Sequence, residues 1–376
     1  MPLSVLICRS NPIDPDPRVE KVARTLASAG YPVRVLAWDR TGKLPTAVQA
    51  DGYRIDRLPI RAAYARGVMN FPQLLRWQIG QLKWLLAHRK EYDLIHACDF
   101  DTVLPALICK KALGKWVVYD IFDFYADHLR ATPDTVKRLI RWVDLRTISL
   151  VDAVILADDY RKEQISGSYP KQLEVIYNSP EEARLNPVEV KPASVNHRLK
   201  VAYVGLLQVE RGLPELLEVM RAHPEWELQL AGFGGDEARI YSLASQLPNV
   251  HCHGRIPYEQ AIRLSSEADV LIATYDPRIP NHRYASPNKV YEAMMLGKPI
   301  IVAKNTSIDQ LTSSLECGMI VNYGDIEELG KALEFLETDP DLRSRLGRNA
   351  RQAYDSRFSW EICRNRLLRL YANFHQ

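Results

Sequence analysis

The chain has 376 residues and a mass of 43.0 kDa, with 47% hydrophobic and 25% charged residues. That balance excludes a disordered polypeptide, and the length exceeds what one hydrophobic core usually organises, so two domains are expected. With a formal net charge of only +3, no nucleic-acid partner is expected.

Residues 1–180 carry 26 Lys and Arg against 20 Asp and Glu, whereas the remainder carries 23 against 26. The basic first half suits an anionic surface or acceptor, or simply a solvated face. The apolar start, Met1 to Cys8, is too short for a signal peptide, and no run approaches the roughly 18 apolar residues of a membrane span. A cytoplasmic protein is expected, peripheral at the inner membrane face at most. The six cysteines, Cys8, Cys98, Cys109, Cys252, Cys317 and Cys363, are scattered without a C-x-x-C pair, which favours buried thiols over disulfides or metal.

Short apolar runs alternate with amphipathic stretches throughout, the pattern of parallel α/β sheets with crossover helices. Strands are predicted to begin at Leu3, Pro32, Tyr53, Tyr92, Trp116, Asp152 and Leu173. Between the first strand and its helix lies Asn11-Pro12-Ile13-Asp14-Pro15-Asp16-Pro17-Arg18. Loops at the carboxyl ends of such strands carry ligand contacts, which makes Asp14, Asp16 and Arg18 acceptor-side candidates; a helix cap with a local ion pair is the plainer reading.

From Phe71 to Lys90, steps of 100° put Phe71, Leu74, Leu75, Ile79, Leu82, Leu85 and Leu86 on one face, read as the core stripe. Trp77 and Trp84 fall opposite, beside Arg76, Lys83 and Lys90. That face suits an anionic membrane interface, or it is covered by a neighbouring loop. The next strand, Leu94 to Cys98, carries His96 and runs into Asp99-Phe100-Asp101. Two carboxylates so spaced can hold a divalent ion, but Asp99 reads better as an acceptor-side residue, and no metal is expected. His96 is either a packed strand-end histidine or an active one.

Around Tyr177–Lys200 the alternation stops in a polar stretch with Pro180, Pro187 and Pro192, read as a linker over 181–197. A first domain over 1–180 and a second over 198–358 follow, with a final helix over 359–376. In the second domain strands are predicted at Leu199–Gly205, Glu227–Ala231, Val250–His253, Val270–Ala273, Pro299–Ala303 and Met319–Val321. Two Rossmann-like units in tandem is the economical interpretation. Most specific is Ser286-Pro287-Asn288-Lys289-Val290-Tyr291-Glu292-Ala293-Met294-Met295-Leu296-Gly297-Lys298-Pro299-Ile300. A polar turn opens a helix whose N-terminus can hold a diphosphate, and a carboxylate one turn in can reach a ribose diol.

This last segment resembles the donor motif of the retaining GT-B glycosyltransferases called family four, in the form P-N-K-x-x-E-x-M-x-x-G-x-P-x-I. The resemblance extends to Val201–Gly212, Leu230–Gly234, Val250–Gly254, Phe358–Glu361, Asp16–Ala23 and Tyr119-Asp120, and so covers nearly the whole chain. It implies a GT-B architecture, two Rossmann-like domains facing a cleft, with the acceptor on the first domain, a nucleotide-sugar on the second, and the final helix over 359–376 packing back on the first.

By resemblance, Glu292 binds the ribose and Arg211, assisted by Lys289, neutralises the diphosphate. Gly205, Gly232, Gly234, Arg255, Ile256, Ser286, Pro287 and Asn288 complete the donor site. Asp99 and Asp123 join the catalytic candidates, and His96 and Asp120 the acceptor side.

The expected activity is retaining transfer from a UDP- or GDP-sugar to a hydroxyl of a glycan or lipid-linked acceptor, as in polysaccharide biosynthesis. The nucleotide-sugar is a co-substrate, and no cofactor is expected.

The sequence departs from the pattern at three points. Leu206 replaces the arginine after the strand glycine, Phe122 replaces the histidine after Tyr-Asp, and Tyr284 replaces the first glutamate of E-x7-E. These departures keep open a silent donor-binding scaffold; a nucleotide-sugar epimerase shares the fold.

Overall fold

The apolar runs of the first half become β1 (Val5–Arg9), β2 (Val33–Asp39), β3 (Ala47–Gln49), β4 (Arg54–Pro59), β5 (Leu94–Cys98), β6 (Trp116–Ile121), β7 (Ala153–Leu156) and β8 (Leu173–Val175). They form one sheet in the order β3-β4-β2-β1-β5-β6-β7-β8, in which only β3 is antiparallel, to β4. The computed structural model describes residues 2–62, 71–129, 132–182 and 198–375. Strands β1, β5 and β7 are near-continuously apolar because helices cover both faces of a parallel sheet.

The helices of this half are α1 (Pro17–Ser28), α2 (Phe71–Ala87), α3 (Phe100–Leu113), α4 (Tyr125–His128) and α5 (Asp134–Leu150). Helix α1 starts at Asp16, whose carboxylate accepts from the Val19 amide, while Glu20 accepts from the Asp16 amide at 2.8 Å. That reciprocal cap, with Pro17 in the first turn, fixes the helix start.

The second half forms β9 (Lys200–Leu206), β10 (Glu227–Phe233), β11 (Val250–Gly254), β12 (Val270–Ala273), β13 (Ile300–Ala303) and β14 (Gly318–Val321). All are parallel, in the order β11-β10-β9-β12-β13-β14. Its helices are α6 (Leu213–Ala222), α7 (Glu237–Ala244), α8 (Tyr258–Glu267), α9 (Pro280–Arg283), α10 (Asn288–Leu296), α11 (Ser307–Leu315), α12 (Ile326–Thr338), α13 (Pro340–Ala353) and α14 (Trp360–Ala372). The strand order reverses between β9 and β12, which is where ligands bind in sheets of this kind. Val201, Leu228, Leu230, Val270, Ile301 and Leu333 lie in the core of this sheet and its helices.

Two units result: Met1–Tyr177 with Cys363–Gln376, and Asn178–Ile362. Each is a Rossmann-like unit with its own parallel sheet. Most of α14 thus belongs to the first unit, where Tyr371 packs edge-on against Tyr31 and bonds His96. Of the stretch read as a linker over 181–197, residues 183–197 lie outside the described residues. Five cysteines are buried and free, and Cys252 is exposed.

Helix α2 is turned away from the sequence reading, although Leu85 of the presumed core stripe is buried and Leu74 and Leu82 are half-buried. Trp77, Gln81 and Leu85 are buried, whereas Phe71, Leu75, Ile79 and Leu86 of the presumed core stripe are 62%, 48%, 47% and 39% exposed. Trp77 stacks on Trp38 at 5.4 Å with the rings nearly parallel, and Gln81 donates to the Thr102 carbonyl at 2.8 Å. Trp84 is half-buried, stacked on His88 and under the Arg34 guanidinium. Neither tryptophan offers a membrane face: a large ring that finds a stacking partner outweighs several leucines in choosing the buried side.

Candidate functional site

In the second unit the carboxyl ends of β9 and β10 carry a pair of glycines in register. Gly205 and Gly232 pair across the two strands with φ of +153° and +147°. A Cβ on Gly232 would stand 1.8 Å from the Gly205 carbonyl oxygen, so only glycine fits. Gly234 follows against the backbone of Leu207, whose amide bonds the Phe233 carbonyl.

Helix α10 brings Lys289 to this point. Its ammonium lies 3.5 Å from the centre of the Tyr203 ring and 3.1 Å from where a Cβ on Gly205 would stand. Burial, with Arg211 as a second cation nearby, pushes the Lys289 ammonium well below its ordinary range, only partly offset by Glu292. Arg211, in the turn before α6, lays its guanidinium over the Tyr275 ring at 4.2 Å, and its Nε is buried without a hydrogen-bond partner. Two cations thus sit on two tyrosine faces. They repel each other unless an anion comes between them.

Helix α10 begins after Pro287 with no side-chain cap on its first turn, and Gly297 ends it in the left-handed conformation. Ser286 is buried, its hydroxyl 3.0 Å from that of Tyr291 and its carbonyl accepting from Asn178. Asn288 is exposed. Glu292 hydrogen-bonds the Tyr258 hydroxyl at the start of α8; burial and this carboxylate together raise the phenol. Arg255, exposed, stacks over Phe233 at 4.6 Å, with half-buried Ile256 next to it. Tyr203, Tyr275 and Tyr258 escape sequence reading because strand and helix-start tyrosines read as packing.

In the first unit, Arg18 makes a two-pronged pair with Asp120, at 2.7 and 3.2 Å, and donates to the Ile176 carbonyl. His96 sits between the Tyr371 hydroxyl at 2.6 Å and Asp120 at 3.3 Å. All three side chains are buried. Burial acts to raise the Asp120 carboxyl, but Arg18 and His96 overcome it and hold the group below its ordinary value.

Asp16 caps α1 and pairs with Arg9 at 2.9 Å, while Asp14 is exposed. Asp99 has φ of +65°, accepts from the Phe122 amide at 2.9 Å and pairs with Arg9. Burial, together with Asp101 and Asp123 and against the pull of Arg9, pushes Asp99 up to about 6. The Arg9 and Arg18 guanidiniums both lie over Phe122, at 4.2 and 4.9 Å. Asp123 is half-exposed and bonds Arg161 at 2.8 Å. Among the described residues no three His, Cys, Asp or Glu side chains group as a metal site.

Residues 15–179 match the model of the glycosyl transferase 4-like domain, and residues 189–353 match that of the glycosyl transferases group 1. The chain belongs to this glycosyltransferase family.

It is 25% identical over 188 residues to the capsular polysaccharide biosynthesis glycosyltransferase CapM of Staphylococcus aureus, covering 48% of this chain and 47% of that protein. The chain spans about half the length of CapM and of other curated relatives it matches. Its fold is that of GT-B structures. Sucrose-phosphate synthase of Thermosynechococcus elongatus superposes with a TM-score of 0.80 at 18% identity, over 99% of both chains. HepE of Anabaena, solved with UDP and glucose, gives 0.72 at 15% identity over 98% and 99%.

Within this glycosyltransferase fold, the second unit gathers Gly205, Arg211, Lys289 and Glu292 around the β9–β12 switch, with Gly232 and Gly234 at the β10 end. The first unit gathers Arg9, Asp16, Asp99 and Asp123 around Phe122 and locks Arg18, His96 and Asp120 into a buried network.

Proposed function

We propose that the chain is a retaining glycosyltransferase that takes a sugar from a UDP- or GDP-linked donor and passes it to a hydroxyl of a glycan or lipid-linked acceptor. The observation that carries the reading is the convergence of Lys289 and Arg211 on aromatic faces beside the uncapped start of α10, with Glu292 one turn in. That is a preformed diphosphate and ribose site. HepE, of the same fold, was solved with UDP, which supports a nucleotide-sugar donor.

Negative charge grows on the leaving diphosphate as the sugar bond breaks. Fixed cations and helix amides stabilise that state more than the bound donor. The departing phosphate oxygen takes the acceptor proton as the hydroxyl attacks from the same face, so no protein nucleophile is required. Asp99, poised near neutrality, is the acceptor-side group in this reading. The Lys289 ammonium beside Gly205 keeps a cation next to Leu206 despite the missing arginine, which weighs against a silent scaffold.

The test is a panel of UDP-, GDP-, ADP- and dTDP-sugars against glycan and lipid-linked acceptors, with the product anomer read by NMR and each reaction repeated in chelator. A retained anomeric configuration, formed equally with chelator present, is expected. An inverted product, or release of an epimerised donor without acceptor, overturns the reading.

A further inference from the structure

In the first unit, the connections β4 to β5, β5 to β6 and β6 to β7 all step the same way along the sheet, while β1 to β2 steps back. Right-handed crossovers therefore put α2, α3 and α5 on one face, opposite α1, and α3 packs against both of its neighbours.

The outer surface of this layer is apolar. Phe71, Leu75 and Ile79 recur every fourth residue on α2, Ile108 lies on α3, and Leu139 and Trp142 lie on α5. Leu139 is 60% exposed and Trp142 57%. Surfaces with such large exposed side chains, spread over three adjacent helices, mark interaction sites.

Charge says what covers it. Arg76 and Lys83 of α2, Lys111 of α3, and Arg138 and Arg146 of α5 are exposed, and the Arg146 guanidinium lies 5.5 Å from the Trp142 ring centre. Of the acids on these helices, Asp101 and Asp144 are buried, leaving Asp134 as the exposed one among the described residues. Helix α2 carries no acid at all. Exposed leucine, isoleucine and tryptophan set among cations, with almost no anion, is the pattern of a helix layer lying in the headgroup zone of an anionic bilayer.

We propose that the outer faces of α2, α3 and α5 form a docking surface for an anionic phospholipid bilayer. The surface keeps Arg76 and Lys83 of the face suggested by sequence but not its tryptophans, since Trp77 is stacked on Trp38 inside the unit, and it extends over α3 and α5. It does not depend on the donor reading: soluble glycan acceptors can be glycosylated whether or not the protein binds vesicles.

The experiment is flotation of the full chain with phosphatidylcholine vesicles, with and without phosphatidylglycerol. Two variants are compared with wild type: Leu75→Ser/Ile79→Ser/Leu139→Ser/Trp142→Ser, and Arg76→Gln/Arg138→Gln/Arg146→Gln. Thermal melts check that both fold, and sedimentation velocity reads their oligomeric state.

Wild type is expected to float only with anionic vesicles and to be released by salt, with each variant losing roughly tenfold or more in vesicle affinity. Flotation that is absent, indifferent to phosphatidylglycerol, or unchanged in the variants overturns the proposal. Self-association of wild type that the serine variant abolishes, without flotation, also overturns it and assigns the face to a second copy of the chain.

Discussion

Replacing Lys289 by methionine removes one charge and leaves the stem. In the structure the ammonium sits 3.5 Å over Tyr203 and beside Gly205, with its proton affinity depressed by burial and by Arg211. The cation–π contact contributes roughly 2 kcal/mol when desolvated. Removing the charge also removes its desolvation cost, and a thioether on the same ring returns about 0.3–1.5 kcal/mol. Folding should therefore change by no more than about 1 kcal/mol.

Donor binding should change far more, because a hydrogen bond from an ammonium to a phosphate contributes roughly 1.5–3 kcal/mol, or about tenfold to more than a hundredfold in affinity. The sign of the pH effect is fixed. A lysine depressed in the folded protein binds fewer protons there than when unfolded. Wild-type stability thus rises with pH between the depressed value and about 10.4, a slope that Lys289→Met lacks. A bound diphosphate raises the group again, so donor binding takes up a proton and weakens as pH rises through that window. Titration calorimetry with UDP- and GDP-sugars at two pH values, in buffers of different ionisation enthalpy, reads both effects. Equal affinity for the variant, or wild-type binding without proton uptake, refutes the assignment of Lys289 to the phosphate.

Glu292→Gln should keep the melting temperature within a few degrees but lower donor affinity roughly tenfold or more, since the amide loses charge and one acceptor; unchanged affinity by calorimetry counts against the ribose role. Gly232→Ala puts a methyl group against the Gly205 carbonyl, so β9 and β10 must part; a loss of at least about 2 kcal/mol in denaturant unfolding is expected, together with weakened donor binding. Asp144, fully buried against the Tyr119 hydroxyl at 2.9 Å, is pushed up to about 7 by burial. A raised carboxyl stabilises the fold when protonated and loses that contribution as pH climbs from about 4 through 7, so Asp144→Asn should raise the melting temperature clearly at pH 8, by much less at pH 5, and hardly at all below about pH 4.

The parallel sheets were legible because strands buried on both faces leave short apolar runs, here separated by amphipathic helical stretches. Strand β3 was not, since Ala47 and Gln49 are exposed and its pairing to β4 leaves no apolar signature. Helix α2 shows the limit of periodicity. Both of its faces are apolar, and the choice between them was made by the Trp38 ring and the Thr102 carbonyl, which only tertiary structure brings near. A helical wheel ranks faces by their own composition. It contains nothing about the partner.

The same limit runs through the proposed donor site. The Ser286–Glu292 motif announces a helix start and a carboxylate, yet Tyr203 and Tyr275 lie on or after strands β9 and β12, where an aromatic residue reads as core. Their rings are what hold Lys289 and Arg211 in place. Leu206, read alone, suggests a damaged phosphate site. With Lys289 resting against Gly205, the position just before it, a cation from α10 lies beside that point even without the arginine. A point charge on a flexible stem, unlike a planar arginine, needs a surface to fix it, and the Tyr203 ring is that surface. Tyr203→Leu should therefore leave Lys289 nearby but unheld, weakening donor binding while Lys289→Met in the same background adds little. Fully additive losses in that double-mutant cycle would show that the tyrosine and the lysine act independently, and would remove the reason for treating them as one device.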